Sequence, residues 1–223
     1  MIDPRATGLT KARYNRIAGV FDCMEYLLER RARVWRERLW SQVGPGRVLE
    51  VGIGTGKNMP YYPQGIEICG IDLSDGMLAR ARKRAVRNHI AIDLREMDVQ
   101  ALGFPDNSFD TAVATFVFCS VPDPIRGMRE LARVVKPGGK ILLLEHVRLD
   151  RPFVGWLMDL LNPLVVRMMG ANINRRTVEN VLQAGLELKS AEDITANCLV
   201  KLITARPGGN SEKERTAPAP QGR

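Results

Sequence analysis

The stretch VLEVGIGTGKN, residues 48–58, sets Glu50 two residues ahead of Gly52, Gly54 and Gly56. Alternating glycines after an apolar run suit a turn that brings backbone amides close to an anionic or strongly polar ligand. A dinucleotide loop has the form G-x-G-x-x-G, where the third glycine permits close helix–strand packing beside a pyrophosphate. Here Lys57 holds that third place and the glycine falls one residue early, at Gly56. A Walker-type phosphate loop is excluded too, since Asn58 follows the lysine where Ser or Thr is needed. Two acids lie downstream, Asp72 in GIDLS and Asp98 in MDVQALGF. Asp72 ends an apolar run, where a carboxylate accepts hydrogen bonds from ribose hydroxyls. Asp98 ends the next one and can accept from an adenine exocyclic amine, with Val99 and Leu102 giving apolar contact. Each residue also has a plain structural reading: glycines for tight packing, Asp98 as a helix cap.

The elements that must position these residues follow from periodicity. Strands are expected at Arg47–Gly52, Ile66–Asp72, Ala91–Met97, Phe109–Phe116 and Lys140–Val147, with helices at Ser74–Val86 and Pro124–Val135. Strands alternating with helices predict βαβ units around a parallel sheet covered on both faces. After Val147, RPFVGWLMDLLNPLVVRMMGAN is apolar but interrupted by Asp159, Asn162-Pro163 and Arg167. A bilayer span needs ~20 consecutive largely apolar residues, so this segment reads as a helical cap or an interfacial helix. TVENVLQAGLELKSAEDI then gives a helix, a stop at Gly185 and a strand, and CLVKLITARP gives the last strand. The expected organisation is a helical segment at 1–43, a ligand-binding domain at 44–206 and a disordered tail at 207–223.

Composition narrows the setting. The 223 residues are 45% hydrophobic and 26% charged, as in a globular chain with one sizeable core. Four scattered cysteines without a C-x-x-C pair, and two histidines, argue against a metal cluster and fit a reducing, cytoplasmic compartment. No secretory signal is apparent in MIDPRATGLTKARYN. Much of the net charge of +8 gathers in the first segment, between Arg5 and Arg47. In CMEYLLERRARVWRERLWSQVG, Met24, Leu27, Leu28, Trp35 and Leu39 recur at helical spacing among arginines. Such a helix is either a solvated basic face or a surface for an anionic partner, membrane or nucleic acid. Aromatics interleaved on a β-platform and an RNA-binding signature are both missing, which disfavours RNA.

In order and spacing, EVGIGTG, GIDLS, MDV, FPDNSFD and ELARVVKPGGKILLLE resemble the successive motifs of class I S-adenosyl-L-methionine methyltransferases, over about residues 12–205. The resemblance implies a Rossmann-like α/β fold with a seven-stranded, mostly parallel sheet containing one antiparallel strand. It implies that Gly52, Gly54 and Gly56 line the methionine moiety, Asp72 the ribose, and Asp98 with Val99 the adenine. Phe116 and Val117 would lie under the methionine end, with core packing as their alternative. Glu50, Asn58, Leu73 and Met77 complete the implied cofactor set, and Tyr14 closes over it. RYNRIAGVFD, residues 13–22, is similar to the opening of the quinone C-methyltransferase and phospholipid N-methyltransferase branches, with Phe21 where a second tyrosine is usual. LLLEHVR and GANINRRTVENVLQAGLE look like bacterial phosphatidylethanolamine N-methyltransferases.

Methyl transfer from a sulfonium needs alignment and desolvation rather than a nucleophile triad or a metal. An amine acceptor must first lose a proton, and Tyr14, Glu145 and His146 are the residues placed to steer it. Arginines with Trp35, Trp40 and leucines suit a bilayer interface and anionic headgroups. Phe153, Trp156, Leu157, Leu160, Leu161, Met168 and Met169 offer apolar surface for an acyl or isoprenoid chain, or else cover the sheet. Arg175 and Arg176 could hold a phosphodiester. The expectation is therefore a phospholipid N-methyltransferase at the inner membrane face, acting on phosphatidylethanolamine. The alternatives are a C-methyltransferase of a prenylated quinone precursor, a small-molecule methyltransferase, or a cofactor-binding module that docks on nucleic acid or protein.

Overall fold

Runs such as VLEV and ILLLE are buried almost without a break, the pattern of strands flanked by partners on both edges and covered on both faces. In the computed structural model, which describes residues 2–24 and 26–208, they build one sheet. Its strands are β1 (Gly46–Val51), β2 (Ile66–Asp72), β3 (Asp93–Glu96), β4 (Phe109–Thr115), β5 (Val135–His146), β6 (Leu186–Asp193) and β7 (Val200–Pro207). The order is β3-β2-β1-β4-β5-β7-β6. β1 to β5 run parallel, while β7 is antiparallel to both β5 and β6. The seven-stranded, mostly parallel Rossmann-like sheet expected above is therefore present. β5 begins five residues earlier than expected, because Val135 pairs with Phe109 before a register shift and the Pro137-Gly138-Gly139 bend. β3 is shorter than expected and exposed at the sheet edge.

The helices are α1 (Pro4–Ile17), α2 (Phe21–Met24), α3 (Tyr26–Trp40), α4 (Asp75–Arg87), α5 (Pro124–Val134), α6 (Pro152–Met169) and α7 (Thr177–Gln183). Side-chain caps fix three starts: Asp3 accepts from the amides of Arg5 and Ala6, Ser74 from Met77, and Asp123 from Arg126. α6 stops at Gly170, whose φ of 79° is left-handed. Along β5, alternate side chains serve opposite faces. Ile141 and Leu143 join Phe109, Met128 and Leu131 on one side. Leu142 and Leu144 join Val48, Val113, Leu39 and Trp40 on the other.

That second layer takes in the end of the basic amino-terminal segment. Leu39 and Trp40 are 0% and 1% exposed and close one face of the sheet, so the apolar side at the end of α3 is core. The segment 1–43 thus helps to complete the sheet's packing. Most of the expected tail, residues 209–223, lies outside the described residues. Among the described residues, no helix is long and apolar enough to cross a membrane.

Candidate active site

Parallel strands point their carboxyl ends the same way, so the turns after β1, β2, β4 and β5 gather at one edge. The turn after β1 carries Gly52, Gly54 and Gly56 at φ of 62°, 57° and 81°, backbone that L-residues rarely adopt. A Cβ on Gly52 would stand 2.5 Å from Val117, so the approach of these two turns requires glycine. Asp72 braces the loop: one carboxylate oxygen accepts the amide of Gly54 at 2.8 Å and the other that of Ser74 at 2.9 Å. Burial raises its pKa, while backbone amides pull the other way. Leu73 is half-buried beside it and Met77 is buried beneath.

Glu50 is 1% exposed and sits in a polar network. Asn58 donates to it at 2.6 Å, the Tyr62 hydroxyl donates to its other oxygen, and Arg36 donates to Asn58 at 2.6 Å. Desolvation dominates and pushes Glu50 up to about 7, against the pull of those donors. The sequence reading missed Arg36 and Tyr62. A charged residue between Ala32, Leu39 and Trp40 on the apolar stripe of α3 was the available signal for Arg36.

After β4, Phe116 adopts a φ of 57°, an unusual conformation for an aromatic residue. Its ring stacks on His146 at 4.5 Å, and the Arg36 guanidinium lies 5.9 Å from its centroid. Burial lowers the His146 pKa, favouring neutral imidazole. Glu145 faces the same turn, where one oxygen accepts the amides of Val117 at 2.8 Å and Phe118 at 3.0 Å. Among the described residues its second oxygen, which is buried, has no hydrogen-bond partner, and desolvation pushes the carboxyl up to about 7.

Asp98 is engaged from several sides. Its oxygens accept the Gln100 backbone amide at 2.9 Å, the Gln100 side-chain amide, and the Thr7 hydroxyl at 3.2 Å. Val99 is buried against it in the core. Thr7 belongs to α1, which also reaches the ends of β2 and β3 through Lys11–Glu96 and through Asn15 with Ser74 and Asp75. Tyr14 of α1 is half-buried, 6.4 Å ring to ring from Phe21. Past that turn, Asp22 accepts from Thr55 of the glycine loop at 2.6 Å and from Arg84 of α4 at 2.6 Å. Lys57, where a dinucleotide loop has its third glycine, sits 3.9 Å from Asp22 and 5.1 Å from the Phe21 ring. The FD of the amino-terminal motif thus docks directly on the glycine loop.

The structure therefore brings Glu50, the three glycines, Asn58, Asp72, Phe116, Val117, Glu145 and His146 to one edge. The candidate acceptor residues are more dispersed. Arg175 turns inward, its guanidinium 2.7 Å from the Val121 carbonyl, whereas Arg176 is exposed and pairs with Glu179 at 3.0 Å. Trp156 points outward, 55% exposed. Among the described residues, no group of three or more His, Cys, Asp or Glu is placed to hold a metal ion.

A family described as a methyltransferase domain matches residues 49–143. The chain is 44% identical over 108 residues to a phosphatidylethanolamine N-methyltransferase of Cereibacter sphaeroides, covering 48% of this chain and 53% of that one. It is 33% identical over 169 residues to a demethylmenaquinone methyltransferase of Renibacterium salmoninarum, covering 74% and 68% respectively. These alignments span about half of the first relative and about two-thirds of the second. A solved SAM-dependent methyltransferase from Thermotoga maritima shares the fold with a TM-score of 0.66 at 21% identity, over 87% of this chain and 98% of that chain.

Proposed function

The chain belongs to the S-adenosyl-L-methionine-dependent methyltransferases, and from that premise we propose that it methylates the amine of phosphatidylethanolamine and of its partly methylated products. The cofactor suits the residues present. The glycine turn leaves no room for a Cβ at Gly52, and Asp72 keeps lone pairs for ribose hydroxyls after accepting two amides. Gly52, Gly54 and Gly56 would hold the methionine moiety, Asp72 the ribose, and Asp98 with Val99 the adenine. When bound, S-adenosyl-L-methionine supplies an electrophilic methyl group on a sulfonium.

The chain's own residues have two tasks. Val117 and the glycine turn exclude water from the edge where β1 and β4 end, and Glu145 fixes the Val117–Phe118 amides in place. An ammonium acceptor must be deprotonated before its lone pair can attack. His146, held neutral by burial and stacked on Phe116, is the group we assign to receive that proton at an imidazole nitrogen. Tyr14 stands on α1, which covers the ends of β2 and β3, and is assigned to closing the site rather than to the proton.

The observation that carries the acceptor is the 44% identity to a phosphatidylethanolamine N-methyltransferase. The same reading places the protein at the inner membrane face, where that lipid is met. A second reading, ring-carbon methylation of a prenylated quinone precursor, draws on the longer alignment with the demethylmenaquinone enzyme. Incubation with methyl-labelled cofactor and vesicles containing phosphatidylethanolamine or demethylmenaquinone separates the two. Label in mono-, di- and trimethylated phosphatidylethanolamine is the expected result. Label confined to the quinone moves the assignment to the second reading, and label in neither lipid overturns both.

A further inference from the structure

α6 carries an apolar stripe on its outside. Phe153, Trp156, Leu157, Leu160, Leu161 and Leu164 are 72%, 55%, 37%, 59%, 42% and 56% exposed. Their spacing of three and four residues places all six on one side of the helix. The opposite side holds Gly155 and Met158, which are buried, and Asn162, which bonds to Asn172 and to the Ile173 amide. Soluble helices normally turn such a stripe inward. Contiguous exposed apolar surface of this kind marks an interaction site.

We propose that the outer face of α6 docks the protein into the interface of an anionic lipid bilayer, with the helix lying in the membrane plane. Charge argues for this occupant. Exposed Arg151 precedes the helix and exposed Arg167 lies on the outward side of its last turn. The helix's one acid, Asp159, is paired with Arg148 at 2.8 Å and accepts from the Asn174 amide at 3.0 Å. A stripe flanked by arginines, with Phe153 and Trp156 6.1 Å apart at one end, has the composition of an interfacial helix. A second copy of the same face would oppose arginines on a chain of net charge +8. Residues 209–223 offer only alanine and proline as apolar side chains, too little to cover the stripe.

Position gives the docking a purpose that rests on the phospholipid reading. α6 follows β5 by a few residues, and its end at Gly170 lies against Arg13 of α1, so a Cβ there would meet the Arg13 side chain at 3.1 Å. The membrane would therefore be met beside the edge that carries His146 and the glycine turn.

The test uses the full chain and vesicles of phosphatidylglycerol and phosphatidylcholine, with and without brominated acyl chains. Bound protein should show quenched tryptophan emission, and Trp156→Phe should remove most of the quenching while the protein still pellets. Leu160→Glu combined with Leu164→Glu should lower vesicle partitioning by about tenfold or more. Unchanged melting temperature and cofactor affinity certify its fold. Wild-type pelleting by the double variant overturns the proposal. So does a concentration-dependent dimer that the two glutamates dissolve, because the face is then a contact between copies. Monomeric short-chain phosphatidylethanolamine tests the acceptor separately: absence of its methylation defeats the substrate reading, and the docking is still decided by the vesicles.

Discussion

Glu50 and Glu145 are both sealed from water, yet their surroundings treat them differently. Glu50 meets Asn58 and Tyr62, one donor on each oxygen, whereas Glu145 has one oxygen without a hydrogen-bond partner among the described residues. Burial pushes each from 4.5 up to about 7, so between those values the folded chain binds more protons than the unfolded one. Their contribution to stability is full below 4.5 and is lost as pH rises through about 7. His146 acts in the opposite sense, its contribution present above 6.5 and lost as pH falls through its lowered value. Glu145→Gln keeps an acceptor for the Val117 and Phe118 amides and removes the titration. Denaturant melts at successive pH values should show the decline between pH 4.5 and 7 reduced by up to ~3 kcal/mol in this variant. A decline as steep as the parent's would clear Glu145 of responsibility for it.

Among the elements, the end of α3 is buried against the sheet, while α6 turns an apolar stripe outward. Trp40 is 1% exposed and packs on Tyr62 with ring centroids 4.5 Å apart. Trp40→Ala should therefore cost about 3–5 kcal/mol in denaturant unfolding. A loss of vesicle binding without a loss of stability would restore α3 to the membrane. Helical periodicity reveals that a helix has an apolar side but not what that side faces, so α3 could be read as a solvated basic face or an interfacial helix, and α6 as a cap or an interfacial helix. The glycine turn, Asp72 and β2 were legible because each is a local pattern of a few residues. The contacts of Asp22, Arg36 and Tyr62 were not. Asp22 meets Thr55 33 residues away and Arg84 62 away, and Arg36 meets Asn58 across 22. Tyr62 reaches back over a shorter distance, but its target is a buried acid that only the folded turn places beside it.

For the molecule as a whole, the decisive topological fact is that β7 lies between β5 and β6. It supplies Leu202 to one core layer and Ile203 and Ala205 to the other. A chain ending at Leu199 should leave β5 with an open apolar edge and collect in the insoluble fraction on expression. A soluble monomer of that chain, binding cofactor with wild-type affinity, would show that the sheet tolerates an open edge.

The same insertion orders events during synthesis. Each of β2 to β5 finds on emergence one neighbour already made, whereas β6 emerges before its partner exists and waits for residues 200–207. Growing from the amino end, the glycine turn and Asp72 can assemble while β5 still has a free edge. Completion of the sheet then falls to residues 200–207, made after every other strand. A polypeptide stalled just short of it would carry a nearly finished cofactor site on a body that chaperones and proteases still recognise as unfinished.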